Sequence, residues 1–299
     1  MTLRIGTRRS ALALAQAELV RSALAETGAA AEIVPMTTTG DQGGADAAAS
    51  PQGLKGLWVD TISSALRRGE LDLAVHSAKD LPAVDEDELV VAAVPRRADP
   101  RDVLVTRTAD VELGPGTAVG TSSVRRAALL RAAYPGIEIR ELRGNVDTRL
   151  RRLFEGAVHA TVLAAAGLER LGVEAANMRA FGPEEMIPAP GQGSLALQCR
   201  EEDRSTRAQL TMLDHPASHR ALEAERALMR RLGGGCALPL GALARERDDK
   251  IELVAVVASP DGARLARAAV RAPGPEAAAE AAEQQLIEGG ATDILAALR

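Results

Sequence analysis

Aromatic side chains are almost missing from this chain, with one Trp, one Tyr and two Phe in 299 residues. Its cores must therefore be assembled from Ala, Leu, Val and Ile, and the lone Trp58 reads as packing or cover rather than as a stacking platform. Cysteine is equally scarce. Cys199 and Cys236 alone cannot make a disulfide framework, so a reducing compartment fits best. Cys199 lies in an apolar run and reads as inert. His215 and His219 have metal-compatible spacing, yet no carboxylate or cysteine completes a ligand set, and no metal is expected. His159 begins a strand and reads as structural. An excess of positive charge is also lacking. A net charge of -5 argues against general nucleic-acid binding, which needs a basic surface. No uncharged apolar run approaches the length that spans a bilayer, and the opening Met1-Thr2-Leu3-Arg4-Ile5-Gly6 carries no visible secretory leader. The expectation is a cytoplasmic protein without membrane or nucleic-acid partners.

What is present is length and alternation. A chain of 299 residues exceeds what one hydrophobic core organises, so two or three domains are expected. Leu3 to Gly6 reads as a strand, followed by a helix capped by Ser10 and ended by Gly28. A strand at Ala31 to Met36, a helix over roughly Val59 to Arg68 and a strand at Leu71 to Val75 continue the alternation. Leu89 to Val94 and Asp102 to Thr106 are two more strands, and the polar break Arg96 to Pro100 between them reads as a crossover. A second series follows: strand Thr117 to Val119, helix Val124 to Ala133, strand Ile137 to Leu142, helix Val146 to Glu155, strand Ala160 to Leu163. Ser194 to Cys199 reads as a run that returns to the first domain. Ile251 to Ala258, the turn Ser259 to Gly262 and Arg264 to Arg271 read as a hairpin, with helices after Pro275. The fold class expected is α/β, with two lobes of mainly parallel sheets plus a small α+β C-terminal domain. The boundaries are 1–95 plus about 194–212 for the first lobe, 96–193 for the second and 213–299 for the third domain.

Four segments carry candidate chemistry. Gly233-Gly234-Gly235-Cys236-Ala237-Leu238-Pro239 presents a sulfur on an open loop, a candidate attachment point for a covalently held group. His76-Ser77-Ala78-Lys79-Asp80-Leu81-Pro82 follows a buried-looking strand, where α/β ligands gather. Its Lys-Asp pair can bind an anion and handle a proton, or be a solvated turn with a salt bridge. Gly120 to Arg126 gathers hydroxyls and backbone N–H groups at a helix start with two arginines one turn in, which favours an anion; a cap with surface arginines is the plainer alternative. Arg140, Arg143, Arg149, Arg151 and Arg152 add a basic cluster, and Arg8 lies just after the first strand. In an acidic protein, such arginine density in adjacent βα units points to a polyanionic ligand, because the guanidinium fork binds carboxylates bidentately. Gly191-Gln192-Gly193 after Pro190 reads as a hinge or a close approach to ligand.

In order along the chain, Thr7 to Ser10, Lys55 to Trp58, His76 to Pro82, Gly120 to Arg126, Leu142 to Leu150, Leu163 to Gly172, Pro190 to Gly193 and Gly234 to Gly241 resemble the porphobilinogen deaminase (hydroxymethylbilane synthase) family. That resemblance implies a transferase of tetrapyrrole (haem) biosynthesis, condensing four porphobilinogen molecules head to tail with release of ammonia. It implies a dipyrromethane cofactor held by a thioether to Cys236, with Asp80 as the catalytic carboxylate. Loss of ammonia leaves a cationic azafulvene that a carboxylate can stabilise. By position, Ser77, Lys79, Ser123, Arg125, Arg126 and Gln192 would hold the cofactor. Arg8, Ser10, Thr121, Arg143, Arg149 and Arg170 would serve porphobilinogen and the pyrrole-chain intermediates. The family's lobes are like those of two-lobed solute-binding proteins, and its expected state is a monomer. The sequence departs from the family around 42–63, where Gly43 to Gly53 precedes Lys55, Trp58 stands for a usual Phe, and Asp60-Thr61-Ile62-Ser63 follows. That segment resembles a mobile cover.

Two rivals make different predictions. A non-catalytic two-lobed binding protein for a carboxylated ligand explains the lobes and arginines but not Cys236 or a third domain. A Schiff-base enzyme using Lys79 would be trapped there by borohydride.

Overall fold

Leu3–Arg8 forms strand β1, and Ser10, whose side chain accepts from the Ala13 N–H, starts helix α1 (Ala11–Glu26) directly after it. The structure is a computed structural model that describes residues 2–37, 61–84, 86–174, 177–233 and 238–298. Strand β2 (Ala31–Met36), helical residues 61–67 (α2), β3 (Leu73–Ser77) and β4 (Leu89–Ala93) complete the first half-lobe. The chain then crosses over. β5 (Asp102–Thr106), β6 (Ala118–Gly120), α3 (Val124–Ala133), β7 (Glu138–Arg140), α4 (Val146–Phe154), β8 (Ala160–Ala164), α5 (Ala165–Arg170) and β9 (Met178–Ala180) build the second. It returns as β10 (Leu195–Arg200), followed by α6 (Arg204–Thr211) and α7 (Pro216–Arg231). β11 (Leu240–Arg247), β12 (Lys250–Ala258), β13 (Leu265–Ala272), α8 (Pro275–Glu288) and α9 (Ala291–Ala296) finish the chain.

The strands form three sheets, ordered β2-β1-β3-β10-β4, β7-β6-β8-β5-β9 and β11-β12-β13. In the first, β1 pairs in parallel with β2 and β3, whereas β10 runs antiparallel to β3 and β4. In the second, β6 pairs in parallel with β7 and β8, and β5 runs antiparallel to β8 and β9. Each lobe thus contains one reversed strand, the strand that enters it from the other lobe. The expected class holds: two mainly parallel lobes and a small sheet domain. The return of Ser194 to Cys199 into the first sheet also holds. Two strands, β9 and β11, were not expected.

Burial follows the composition. The third sheet packs Ile251, Leu253, Ala255 and Val257 against Ala224, Ala227 and Leu228 of α7 and Ala278, Ala279 and Ala282 of α8. Alanine lets helix and sheet approach closely, so small side chains still fill the core to native density. Val256 and Ala258, on the opposite face of β12, join Leu104, Val119, Ala128 and Leu130 of the second lobe in one cluster. The third domain is therefore packed onto the second lobe. Among the described residues no helix is long and apolar enough to cross a membrane, and no cluster of His, Cys, Asp and Glu could hold a metal.

Candidate active site

Among the described residues, every segment that lines the cleft between the two lobes follows the C-terminal end of a parallel strand or belongs to the return crossover. Arg8 ends β1, Ser77 ends β3, Ser122 follows β6, Asn145 follows β7, Ala164 ends β8, and Gly191 to Ser194 precede β10. The parallel strands bring these ends together, which is where open α/β sheets bind ligands. The cavity holds about 390 Å³. Helices α1, α3 and α4 start at its edge, so the positive ends of their backbone dipoles face it.

The walls are cationic. Among the described lining residues, Arg8, Lys79, Arg126, Arg149 and Arg170 stand against the single carboxylate of Asp80. Lys79 and Asp80 share a 3-10 turn, Ala78–Asp80, which directly continues β3. Gly191 makes this turn possible: at φ +74° it lies so close that a Cβ would sit 2.8 Å from Lys79 N and 2.9 Å from Ala78 C. Arg149 donates from Nε to Gly144 O at 2.8 Å, and Arg170 Nη2 donates to Gly193 O at 2.8 Å. Burial, reinforced by the neighbouring Arg126 and opposed by Asp80, pushes Arg149 down to about 10. Burial also lowers Arg170. Cations held in this way are stabilised by any anion that enters.

Arg125 and Arg126 lie deeper than a surface cap. Both are buried and share Asp102, the first residue of β5. Arg125 Nη1 reaches Asp102 Oδ2 at 2.7 Å, and Arg126 Nε and Nη2 reach Oδ1 at 3.0 and 2.7 Å. Burial alone would raise the Asp102 carboxyl, but the two guanidinium groups outweigh it and hold it well below the usual carboxylate range. Arg125 Nε is buried and has no partner among the described residues.

The sequence-derived candidates therefore separate. Arg8, Ser10, Ser77, Lys79, Asp80, Arg126, Arg149 and Arg170 meet in the cleft. Ser123 caps α3 by accepting from Arg126 N, and Thr121 Oγ1 accepts from Ser123 N at 3.1 Å beneath it. Gln192 is buried behind Lys79, and Arg143 is exposed and paired with Glu141 at 2.6 Å. Cys236 and the Lys55 to Trp58 segment lie outside the described residues. His159 Nδ1 accepts from Ala118 N at 3.0 Å, and His215 caps α7 by accepting from Ser218 N. Burial pushes the Cys199 thiol up to about 11, so it stays protonated and unreactive.

Two residues of the site were missed in the sequence. Gln16 lies within 2.9 Å (Nε2) and 3.1 Å (Oε1) of Ser77 Oγ. It is the one polar member of the buried α1 stripe Ala13, Gln16, Ala17, Val20, Leu24, and that interruption was the available signal. Asp102 is the one charged residue of the buried strand Asp-Val-Leu-Val-Thr, and it stands at the head of the apolar run Val103 to Val105.

Comparison with known proteins places these observations. Residues 3–208 match a family model described as porphobilinogen deaminase, dipyromethane cofactor binding domain, and residues 220–288 match its C-terminal domain. The porphobilinogen deaminase of Acidothermus cellulolyticus is 44% identical over 99% of this chain and 91% of its own. That of Roseiflexus sp. (strain RS-1) is 45% identical over 99% of both. Among solved structures, the methionine-binding protein MetQ covers 71% of this chain and 89% of its own, at 14% identity and a TM-score of 0.44, a likeness too distant to carry an argument.

Proposed function

The chain belongs to the porphobilinogen deaminase family, and from that membership we propose that its cleft joins four porphobilinogen molecules head to tail, releases ammonia and delivers hydroxymethylbilane. The observation that carries this reading is the charge of the cleft, five cationic side chains against one carboxylate among its described lining residues. Each pyrrole brings an acetate and a propionate, so the bound chain gains two carboxylates per addition. Arg8, Ser10, Thr121, Arg143, Arg149 and Arg170 are the groups proposed for the incoming substrate and the elongating chain. Arg143 and Thr121 would act from the rim and from beneath the α3 cap.

The residues present fit a dipyrromethane cofactor. Two buried guanidinium groups against the one carboxylate of Asp102 leave a positive charge uncompensated, and Arg125 Nε lacks a partner among the described residues. Buried charge in that condition calls for an anion. Ser77, Lys79, Ser123, Arg125, Arg126 and Gln192 are proposed to hold the cofactor, with Cys236 as its thioether anchor. When bound, the group supplies the pyrrole carbon to which substrate is added. Asp80 then has two tasks. Its carboxylate stabilises the cation left on the substrate when the C–N bond breaks and ammonia leaves, and accepts the pyrrole N–H. It also manages the proton shed as the ring regains aromaticity. His76, pushed down to about 4 by burial, stays neutral at working pH and adds no charge to the cleft.

The division into a first lobe of 1–95 with about 194–212, a second of 96–193 and a third unit of 213–299 belongs to this reading, supported by the strand order. So do a cytoplasmic location, a monomeric state and the description of the activity as hydroxymethylbilane synthase. The test is intact mass together with porphobilinogen consumption. The purified protein is expected to exceed its sequence mass by one dipyrromethane unit, and Cys236→Ser to return it to the bare mass without activity. Active protein at the bare mass overturns the assignment.

A further inference from the structure

Asp102 takes no part in the cleft wall, yet it joins everything behind it. Its Oδ1 accepts from Arg126 and from Gln192 Nε2 at 2.9 Å, and its Oδ2 accepts from Arg125. The other Gln192 Nε2 proton goes to Pro100 O at 2.8 Å. Both amide protons are thus committed, and the orientation of the amide is decided. Oε1 must point the other way, where it lies 3.5 Å from Lys79 Nζ. Turned over, Gln192 would set its carbonyl oxygen against a carboxylate and a main-chain carbonyl, and its NH₂ against an ammonium. The backbone cannot relax to allow that, because Arg97 Nε donates to Gln192 O at 2.8 Å and Gln192 N donates to Ala189 O at 3.0 Å. Asp102 and Gln192 are almost fully buried, so water does not compete for these bonds.

The connection runs across the molecule. Lys79 stands on the turn of the first lobe, Gln192 on the return crossover, Asp102 at the start of β5 and Arg126 on α3 of the second lobe. We infer that Asp102 is a positioning residue that fixes the Arg126 fork directly and the Lys79 ammonium through the Gln192 amide, so that cationic groups of the two lobes are held in one register. The inference deepens the deaminase reading and rests on it. It also narrows the part proposed for Gln192 in holding the cofactor: with both amide protons committed to Pro100 O and Asp102 Oδ1, Gln192 serves the group by placing the Lys79 ammonium.

The test uses the full-length protein and two variants. Gln192→Met keeps side-chain length and leaves the Asp102–arginine pairs in place while removing the link to Lys79. Asp102→Asn turns one acceptor into a donor facing N–H groups on either side. Three quantities are read: the fraction of chains carrying the dipyrromethane mass, kcat and KM per loaded chain, and the rate at which acetic anhydride acylates Lys79 at fixed pH, followed by peptide mass spectrometry. Gln192→Met is expected to lower kcat per loaded chain about tenfold with KM changed less than about threefold. Lys79 acylation should rise severalfold, because an acceptor that favours the ammonium is gone. Asp102→Asn should lower both kcat and the loaded fraction. A Gln192→Met protein with parental kcat and parental Lys79 reactivity, whatever its melting temperature, reduces the link to a structural brace and overturns the inference. Lys79 reactivity is read on any folded chain. A parent without the extra mass and without porphobilinogen turnover therefore sinks the deaminase reading, while the acylation rates still decide whether Gln192 holds Lys79.

Discussion

Asp80 and His76 stand four residues apart at one strand end, and they face different surroundings. Asp80 is half-buried, on the turn that points its carboxylate into a field of cations. Asp80→Asn keeps the shape and one hydrogen-bond acceptor but cannot carry negative charge or take a proton. Turnover should fall by about 10²- to 10⁴-fold with folding intact, measured as porphobilinogen consumption beside an unchanged urea midpoint. Activity near the parental level would remove Asp80 from its role. His76 is buried, and desolvation outweighs the opposing effects of Gln198, Glu86 and Asp80 to bring it from 6.5 to about 4. An unfolded chain takes up this proton near 6.5, whereas the folded one resists until about 4. Between those values the unfolded state binds more protons, so stability declines as pH falls from about 6.5 to about 4 and does not change on this account above 6.5. The full effect is on the order of 3 kcal/mol. His76→Gln removes it, so the difference in urea stability between pH 7.5 and pH 4.5 should shrink in the variant. An identical difference in both proteins contradicts the assignment.

At the scale of elements, close backbone approach decides more than propensity. Gly191 occupies the left-handed region against the Ala78–Asp80 turn, and Gly241 of β11 lies where a Cβ would meet Ile187 O at 2.7 Å. Both glycines abut backbone, which cannot swing aside as a side chain can. Gly191→Ala should displace the Lys79–Asp80 turn, cost about 1–3 kcal/mol and depress kcat more than KM. A crystal structure of the variant with the turn unmoved and activity intact would count against that coupling. The same scale explains which elements were legible. Asp102 to Thr106 and Val124 to Ala133 were read to the residue, because a buried apolar run and a capped helix declare themselves locally. β11 was missed because Leu-Gly-Ala-Leu-Ala-Arg-Glu-Arg carries a helix former's composition, and only pairing along the whole of β12 makes it a strand. β9 has three residues and exists through its pairing with β5. Strand direction was partly hidden as well, since the reversal of β5 and β10 is set by which lobe the chain comes from.

For the whole molecule, the basic segments were visible one by one, but not how deep each would lie. Arginines at 125 and 126 look like surface residues of a helix start until Asp102, more than twenty positions earlier, is known to sit beneath them. Nor does any local pattern show that Glu225, in the middle of α7, joins all three parts of the protein. Its fully buried carboxylate accepts from Arg97 Nη1 at 2.6 Å on the outgoing crossover, from Gly191 N at 2.6 Å on the return crossover and from Ala244 N at 2.7 Å on β11. Asp214, just before α7, accepts from Val94 N at 2.7 Å, and Ser218 Oγ accepts from Arg97 N at 3.0 Å, so the same crossover is gripped at three points. Glu225→Gln preserves volume but removes the charge and turns one acceptor into an NH₂ facing donors. Arg97, itself largely buried, would lose its counter-ion. Breaking a buried pair from one side costs about 3–5 kcal/mol, because a desolvated charge is left behind. The variant should unfold at a clearly lower urea concentration. Because the bonds lost lie on the segments that connect the lobes, protease should also cut residues 94–101 faster than in the parent, before any loss of helical circular dichroism. Parental urea stability combined with parental cleavage would show that Glu225 does not brace the crossovers. Faster cleavage at unchanged global stability would instead mark the hub as a control on lobe movement.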